Sequence, residues 1–201
     1  AEAGVNHNGQ LSHAKKLIEV AKECGADAVK FQTFVTEELI VQGVAKADYQ
    51  KVNDPKEESQ FEMIKKLELS FEAFKELKSH CDRVGILFLS TPDEEKSCDF
   101  LNSIDVPLFK IGSGEVTNLP FIDFVARKGK PVILSSGMSE ISELAEAIET
   151  IRNTGNNELI LLHCVSDYPT RIEDINLKVM NTLSNKFSLP VGLSDHTEGL
   201  D

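Results

Sequence analysis

Short apolar runs alternate along the chain with segments in which apolar residues recur every three or four positions. The second pattern is typical of an amphipathic helix, and one such face consists of Phe71, Phe74, Leu77 and Cys81. The apolar runs predict strands near residues 1–5, 27–33, 86–91, 107–111, 131–136, 158–164 and 190–194. Regular alternation of the two patterns predicts βα units around a parallel sheet.

The predicted strands are apolar throughout, as in ILFLS (86–90) and LILLHC (159–164). Such strands are expected where both faces of a sheet are covered, which leaves an open doubly wound sheet or a (β/α)8 barrel. Seven strands in succession, with no GxGxxG after the first, favour the barrel. We therefore predict an α/β fold of the (β/α)8 TIM-barrel type.

A barrel of this type needs an eighth strand, because seven parallel strands would leave an unpaired edge. The sequence begins at AEAG, inside predicted strand one, and stops at GLSDHTEGLD, immediately after strand seven. We therefore expect residues 1–201 to form one partial TIM-barrel domain that lacks strand eight.

The longest interruption of the βα pattern falls at residues 34–69. It contains a charged connection, KADYQKVNDPKEES, and a predicted short helix around residues 61–67, and Ser70 is the predicted N-cap of the next helix. A long loop after a barrel strand lies on the face that carries active sites. Two interpretations stay open at this point, a lid and a solvated excursion.

Composition narrows the class of protein. The formal net charge of −12 argues against a nucleic-acid-binding surface, which needs a basic stripe. The sequence shows no run of 18 apolar residues and no leader pattern, so we expect no membrane span and, by default, a cytoplasmic location. The four cysteines lack zinc-ligand spacing and are predicted to be buried free thiols: Cys24, Cys81, Cys98 and Cys164.

Polar side chains concentrate where the predicted strands end. In a barrel these positions share one active-site mouth, and the candidates are Glu2, Lys30, Gln32, Thr91, Lys110, Ser113, Glu115, Ser166, Tyr168, Ser194 and His196. The same rule includes Asn6, His7, Ser90, Ser135, Ser136, His163 and Asp195, and His163, inside the apolar LLHC run, is a weaker candidate than His196. Two ammonium groups among several hydroxyls suit an anion with several oxygens, such as a phosphate. Backbone N–H groups in the glycine-rich GSGE (112–115) could approach the same oxyanion.

Two of these candidates have a structural alternative. Lys110 could form an internal ion pair with Glu115 or Glu2, although burying a charge pair without further donors is unfavourable. His196 could be a core histidine, but its place among Ser194, Asp195 and Thr197 at a strand end favours a metal ligand or a proton carrier.

The strand-end motifs together carry a family resemblance. The segments AEAGVNHNG, DAVKFQT, FLSTPD, FKIGSGE, ILSSGM, LLHCVSDYPT and GLSDHT resemble, in order, the motifs of the sialic acid synthase family. That family makes N-acetylneuraminate, legionaminate or pseudaminate, and the resemblance runs from residue 1 to residue 201.

The resemblance implies a reaction and a set of roles. Phosphoenolpyruvate would condense with the open-chain aldehyde of an N-acylated hexosamine, giving a nonulosonic acid and phosphate with help from a divalent ion, typically Mn²⁺ (Mg²⁺ or Co²⁺ possible). The catalytic carboxylates would be Glu2 and Glu115, the hexosamine pocket would include Gln32 and Tyr168, and His196 would bind the metal. The implied phosphoenolpyruvate contacts are Lys30, Thr91, Lys110, Ser113, Ser166 and Ser194.

Two departures from the family pattern bear on these roles. Position 166 is Ser where many relatives carry Asn, which questions one phosphoenolpyruvate contact. The family's second metal histidine lies on or after strand eight, and its antifreeze-like domain supplies an arginine to the other subunit of a homodimer. The resemblance therefore implies an incomplete metal site within residues 1–201 and leaves the activity of these residues alone open.

Two other functions compete with this interpretation. A Schiff-base aldolase could use Lys110 or Lys30 if the pKa of that lysine were depressed. A non-catalytic sugar- or phosphate-binding module would use the same cations without chemistry, although Glu2, Glu115 and His196 speak against it.

Overall fold

The computed structural model describes residues 1–45 and 59–199. These residues divide into two compact units, Ala1–Pro107 and Leu108–Asp201. All seven predicted strands are present: β1 (Glu2–Gly4), β2 (Ala28–Thr33) and β3 (Leu87–Pro92) in the first unit, and β4 (Phe109–Ile111), β5 (Val132–Ser135), β6 (Leu159–His163) and β7 (Val191–Leu193) in the second.

Helices follow the strands in both units. In the first unit the described helices are α1 (Leu11–Glu23), α2 (Thr36–Leu39), α3 (Gln60–Lys65), α4 (Phe71–Val84) and α5 (Glu95–Ser103). In the second they are α6 (Leu119–Ala126), α7 (Ile141–Asn153) and α8 (Lys178–Phe187), with short 3-10 turns at Ser113–Glu115 and Ile172–Asp174.

The first unit is built on a parallel sheet of order β1-β2-β3. Successive side chains of β2 point to opposite faces, and Phe31 is fully buried against Phe74 of α4 and Phe88 of β3. The other face of β2 carries Lys30 and Gln32, and Gln32 lies opposite Thr91 of β3. Apolar packing on one face therefore fixes the polar residues on the other.

The second unit has a four-stranded parallel sheet of order β4-β5-β6-β7. Its helix-facing side forms two buried rows, Phe109, Val132 and Leu159 in one, and Ile111, Leu134 and Leu161 in the next. Lys110 lies between Phe109 and Ile111, so its side chain belongs to the opposite face.

Strand order bears on the two architectures that the sequence left open. Within each unit the strands follow chain order and are parallel, whereas a doubly wound sheet reverses its order at a switch point. An α/β fold with parallel sheets is thus confirmed, and barrel closure stays a prediction.

Local signals in the long interruption are confirmed where the structure describes it. Ser59 and Glu62 form a capping box at the start of α3, and the Ser70 side chain accepts a hydrogen bond from the Ala73 N–H (3.2 Å) at the start of α4. Most of the charged connection, residues 46–58, lies outside the described residues, so both interpretations, a lid and a solvated excursion, stay open.

The prediction of buried free thiols is confirmed for three of the four cysteines. Cys81, Cys98 and Cys164 are buried, and burial raises the pKa of the Cys81 thiol to about 12. The prediction was wrong for Cys24, which follows α1 and is exposed. This position ends the helix and lies beyond the buried face formed by Ala14, Ile18 and Ala21. None of the four, all of which the structure describes, is in a disulfide.

Among residues 1–45 and 59–199, no helix has both the length and the apolar character that a membrane crossing requires.

Candidate functional site

In the first unit, four predicted site residues, Glu2, Lys30, Gln32 and Thr91, lie together on β1, β2 and β3. Lys30 Nζ is 2.5 Å from Glu2 Oε2 and 3.4 Å from Thr91 Oγ1. The register places Glu2 opposite Lys30, so the ion pair follows from strand pairing. The Lys30 side chain is 20% exposed and that of Glu2 is 55% exposed, which means that water screens the pair and weakens it.

Gly4 completes this group and was not predicted. Its φ of 49° lies in the left-handed region, and a Cβ at this position would lie 3.2 Å from Glu2 Oε1 and 3.5 Å from Gln32 Oε1. Gly4 therefore lets the chain turn tightly while Glu2 and Gln32 remain neighbours.

In the second unit, Lys110 is buried at 7% exposure. Its ammonium group donates hydrogen bonds to Ser135 Oγ (2.5 Å) and to the Ile111 carbonyl (3.1 Å). Ser135, itself buried, ends β5 and is not among the predicted site residues. Its place at a strand end is the sequence signal that put it among the polar strand-end residues, although it was assigned no role there.

A second group in this unit surrounds Gly137, and we call Ser113, Gly137, Cys164 and Ser166 the Gly137 cluster. Ser113 Oγ accepts a hydrogen bond from the Gly137 N–H (2.9 Å) and lies 3.1 Å from Cys164 Sγ. A Cβ on Gly137 would overlap Ser166 Oγ and lie 2.8 Å from both Cys164 Sγ and Ser113 Oγ. A side chain at this position would have to displace these three side chains, so glycine lets the three strand ends meet here.

His196, Ser194 and Tyr168 form a third group. His196 Nδ1 is 2.7 Å from the Val165 carbonyl, and because a carbonyl only accepts, Nδ1 carries the proton. Nε2, 3.3 Å from Ser194 Oγ, is then the acceptor nitrogen. The Tyr168 ring lies beside the imidazole, with 4.2 Å between ring centroids.

Asp195, next to His196, is exposed. The backbone N–H and the hydroxyl of Thr197 donate to Asp195 Oδ1 (3.0 and 2.9 Å), and these two hydrogen bonds hold the pKa of its carboxyl below the usual value. The carboxylate is therefore an anion at neutral pH.

Two candidates have local structural contacts. Glu115 accepts a hydrogen bond from Asn118 Nδ2 (2.7 Å) at the start of α6. His163 is buried on the helix-facing side of β6 with Nε2 2.6 Å from the Ile175 carbonyl. This packing agrees with the prediction that His163 is a weaker candidate than His196.

The implied metal can be tested against the donor atoms. The His196 ring suits a ligand role, because a carbonyl on Nδ1 fixes the tautomer with the lone pair on Nε2, where a metal ion would take the place of the Ser194 hydrogen bond. Within the part of the chain that the structure describes, no three His, Cys, Asp or Glu side chains are grouped as a metal site. The described residues therefore fit one ligand of a metal ion.

A cavity of about 550 Å³ adjoins the Gly137 cluster in the second unit. It lies at the start of α7 and beside α8, and its lining includes Ser136, Met138, Leu144, Ser166 and Leu183. This volume is in the range of small-molecule sites.

These features define a class: an α/β protein with parallel sheets whose strand ends carry ammonium groups, hydroxyls and a histidine with a fixed tautomer. The sequence profile of the NeuB family matches residues 17–201, and the chain belongs to that family. The resemblance to sialic acid synthases that the strand-end motifs indicated is thus confirmed.

Three relatives illustrate the match. The chain is 50% identical over 204 residues to the N,N'-diacetyllegionaminic acid synthase of Legionella pneumophila, covering 100% of this chain and 57% of the relative. It is 34% identical over 201 residues to the human N-acetylneuraminate-9-phosphate synthase, covering 100% of this chain and 55% of the relative.

A solved structure of the N-acetylneuraminic acid synthetase of Leptospira borgpetersenii, in complex with citrate, superposes with a TM-score of 0.87 at 34% identity. That comparison covers 100% of this chain and 65% of the other. The chain therefore spans between about half and two thirds of the length of these three relatives.

Proposed function

We propose that the protein carrying this chain condenses phosphoenolpyruvate with the aldehyde of an N-acylated hexosamine, giving a nonulosonic acid and phosphate. The observation that carries the proposal is the set of ammonium and hydroxyl donors at the strand ends of a chain half identical to a named legionaminic acid synthase. The family membership supports the same reaction class.

The donors match the needs of the first substrate. Phosphoenolpyruvate carries a phosphate and a carboxylate, both of which only accept hydrogen bonds, and charge-assisted bonds to such groups are strong. In this proposal they are contacted by Lys30, Thr91, Lys110, Ser113, Ser166 and Ser194. The hydrogen bond from the Lys110 ammonium to Ser135 Oγ would hold this ammonium group in position.

Of the two carboxylates, we assign the base to Glu2. Glu2 lies beside Lys30, a proposed phosphoenolpyruvate contact, and its side chain is open to water. A carboxylate in the position of Glu2 can accept the proton of the water that adds at C2 and offset the positive charge that develops there.

The acceptor sugar would contact Gln32 and Tyr168. Tyr168 is half exposed and stacks beside His196, whose Nε2 would supply one ligand to a divalent ion, which we expect to be Mn²⁺. When bound, that ion supplies Lewis-acid polarisation of the aldehyde.

The reaction is tested by measuring phosphate release from phosphoenolpyruvate by the full-length protein in the presence of Mn²⁺. We expect release only when an N-acylated mannosamine or a related deoxy sugar is added, and we expect a chelator to abolish it. A panel of such sugars identifies the acceptor. Phosphate release without sugar, or none with the whole panel, would contradict the proposal.

Borohydride reduction in the presence of substrate provides the control against the aldolase alternative. A Schiff base would leave a covalent adduct on Lys30 or Lys110, which peptide mass spectrometry detects. We expect neither lysine to be labelled.

A further inference from the structure

We propose that Cys164 is a positioning residue that prepares Ser113 to bind an anion. Its thiol donates a hydrogen bond to Ser113 Oγ, so that the Ser113 hydroxyl proton is left for the ligand. This inference rests on the proposed function, since the anion is phosphoenolpyruvate.

The Ser113 hydroxyl can make only a limited number of hydrogen bonds. A hydroxyl has one proton to donate and two lone pairs to accept with. The Gly137 N–H, 2.9 Å away, can only donate, so it occupies one lone pair of Ser113 Oγ. One lone pair and one proton remain.

The thiol of Cys164 lies 3.1 Å from Ser113 Oγ and can take part in a hydrogen bond with either the remaining lone pair or the proton of Ser113. If the S–H donates, both lone pairs are occupied and the serine proton must point to another acceptor. If the serine donates to sulfur instead, it has no proton for a ligand. A phosphate or carboxylate offers only acceptor atoms, so an anion selects the first arrangement.

Packing holds this arrangement in place. Cys164 is buried at 7% exposure, which shields its thiol from water as a competing acceptor. Gly137 lies so close to Ser113, Cys164 and Ser166 that no Cβ fits between them. Packing therefore holds Ser113 Oγ and Cys164 Sγ together before the ligand arrives, and only the hydrogen positions have to adjust to the anion, which lowers the entropy lost on binding.

The test is a double-mutant cycle on phosphoenolpyruvate binding, measured by calorimetry with the full-length protein. We expect Cys164→Ala to raise the Kd about 3- to 10-fold, as for the loss of one modest hydrogen bond. Cys164→Ser keeps a donor and should stay within about 2-fold of the wild type. In the Ser113→Ala background, Cys164→Ala should have no further effect.

Controls separate positioning from a general loss of structure. The KM of the hexosamine should be unchanged in Cys164→Ala, and thermal melting should show that this variant is fully folded at the assay temperature. Should alanine leave the fold unstable, Cys164→Val also lacks a donor and fills more of the site.

The outcomes distinguish this inference from the proposed function. Wild-type protein that binds phosphoenolpyruvate, with a Cys164→Ala Kd equal to the wild type or with additive effects in the cycle, overturns the role of Cys164 alone. Wild-type protein that binds no phosphoenolpyruvate overturns the proposed function and this inference with it.

Discussion

Lys110 and Lys30 show how differently two lysines at strand ends can be held. Lys110 is buried and donates to Ser135 and to a backbone carbonyl, whereas Lys30 is partly exposed and paired with Glu2. On sequence alone, Glu2 was one of two candidate ion-pair partners for Lys110, whereas in the structure Glu2 forms its ion pair with Lys30. The register of β1 and β2 determines this pairing, because it puts Glu2 opposite Lys30. The register of two strands cannot be read from the short-range pattern of the sequence.

Replacing Lys110 with Met tests the buried cation at the residue scale. We expect Lys110→Met to weaken phosphoenolpyruvate binding by about 2 to 3 kcal/mol, or roughly 30- to 150-fold in Kd, because charge-assisted contacts are lost. Calorimetry measures the change, and Lys186→Met, at an exposed position of α8, is the matched control. An unchanged Kd would show that Lys110 serves packing alone.

At the scale of elements, the predictable part of the fold is the part that local pattern determines. The seven strands follow from continuous apolar runs, and the start of α4 follows from Ser70. The Gly137 cluster could not be predicted in the same way, since it depends on how the ends of β4, β5 and β6 come together. Cys164 has no partner at zinc-ligand spacing and Gly137 is a single glycine after a strand, so both stayed outside the predicted site.

The packing of these strand ends gives a prediction for Gly137. We expect Gly137→Ala to displace the Ser113 and Ser166 hydroxyls, because the new methyl group would overlap Ser166 Oγ and press on Ser113 Oγ and Cys164 Sγ. Overpacking of this kind usually destabilises a protein by about 1 to 3 kcal/mol. Chemical denaturation measures the loss, and phosphoenolpyruvate affinity should fall as well.

Gly129→Ala is a useful comparison for this variant. A Cβ at Gly129 meets nothing within 4 Å, although its φ of 71° adds backbone strain. We expect this control to lose stability without losing affinity. Equal affinity in Gly137→Ala and the wild type would contradict the packing argument.

At the scale of the whole molecule, stability should depend on pH through His7. This side chain is buried after β1 and lies beside Phe31. His7 Nδ1 accepts a hydrogen bond from the Gly9 N–H (3.1 Å), and burial lowers the pKa of His7 below the usual 6.5. The folded protein therefore favours the neutral ring.

The sign of the effect follows from linkage. Below about pH 6.5 the unfolded chain binds a proton that folded His7 resists, so stability present above that pH is lost as the pH falls towards the folded pKa. One proton contributes at most about 1.4 kcal/mol per pH unit. Thermal melting between pH 7.5 and 5 should show this slope, and His7→Gln should flatten it.

His13→Gln, at an exposed position of α1, is the control for the pH experiment and should keep the wild-type slope. If His7→Gln and the wild type lose stability equally as the pH falls from 7.5 to 5, a group other than His7 causes the loss of stability in acid.

The architecture was largely predictable because parallel strands, covering helices and their order leave regular periodicities. Family membership was predictable as well, because seven motifs were present in order. Barrel closure, homodimer formation and cytoplasmic location stay predictions, since each depends on more than the described contacts.

The exposed thiol of Cys24 offers a practical route into the molecule. Maleimide reagents require an accessible thiolate, and Cys24 is the exposed one of the four cysteines, whereas Cys81, with its pKa near 12, stays protonated in the folded protein. A fluorophore or spin label can therefore be attached at the end of α1 while Cys164 keeps its native chemistry. The wild-type sequence already contains the labelling site that such spectroscopy needs.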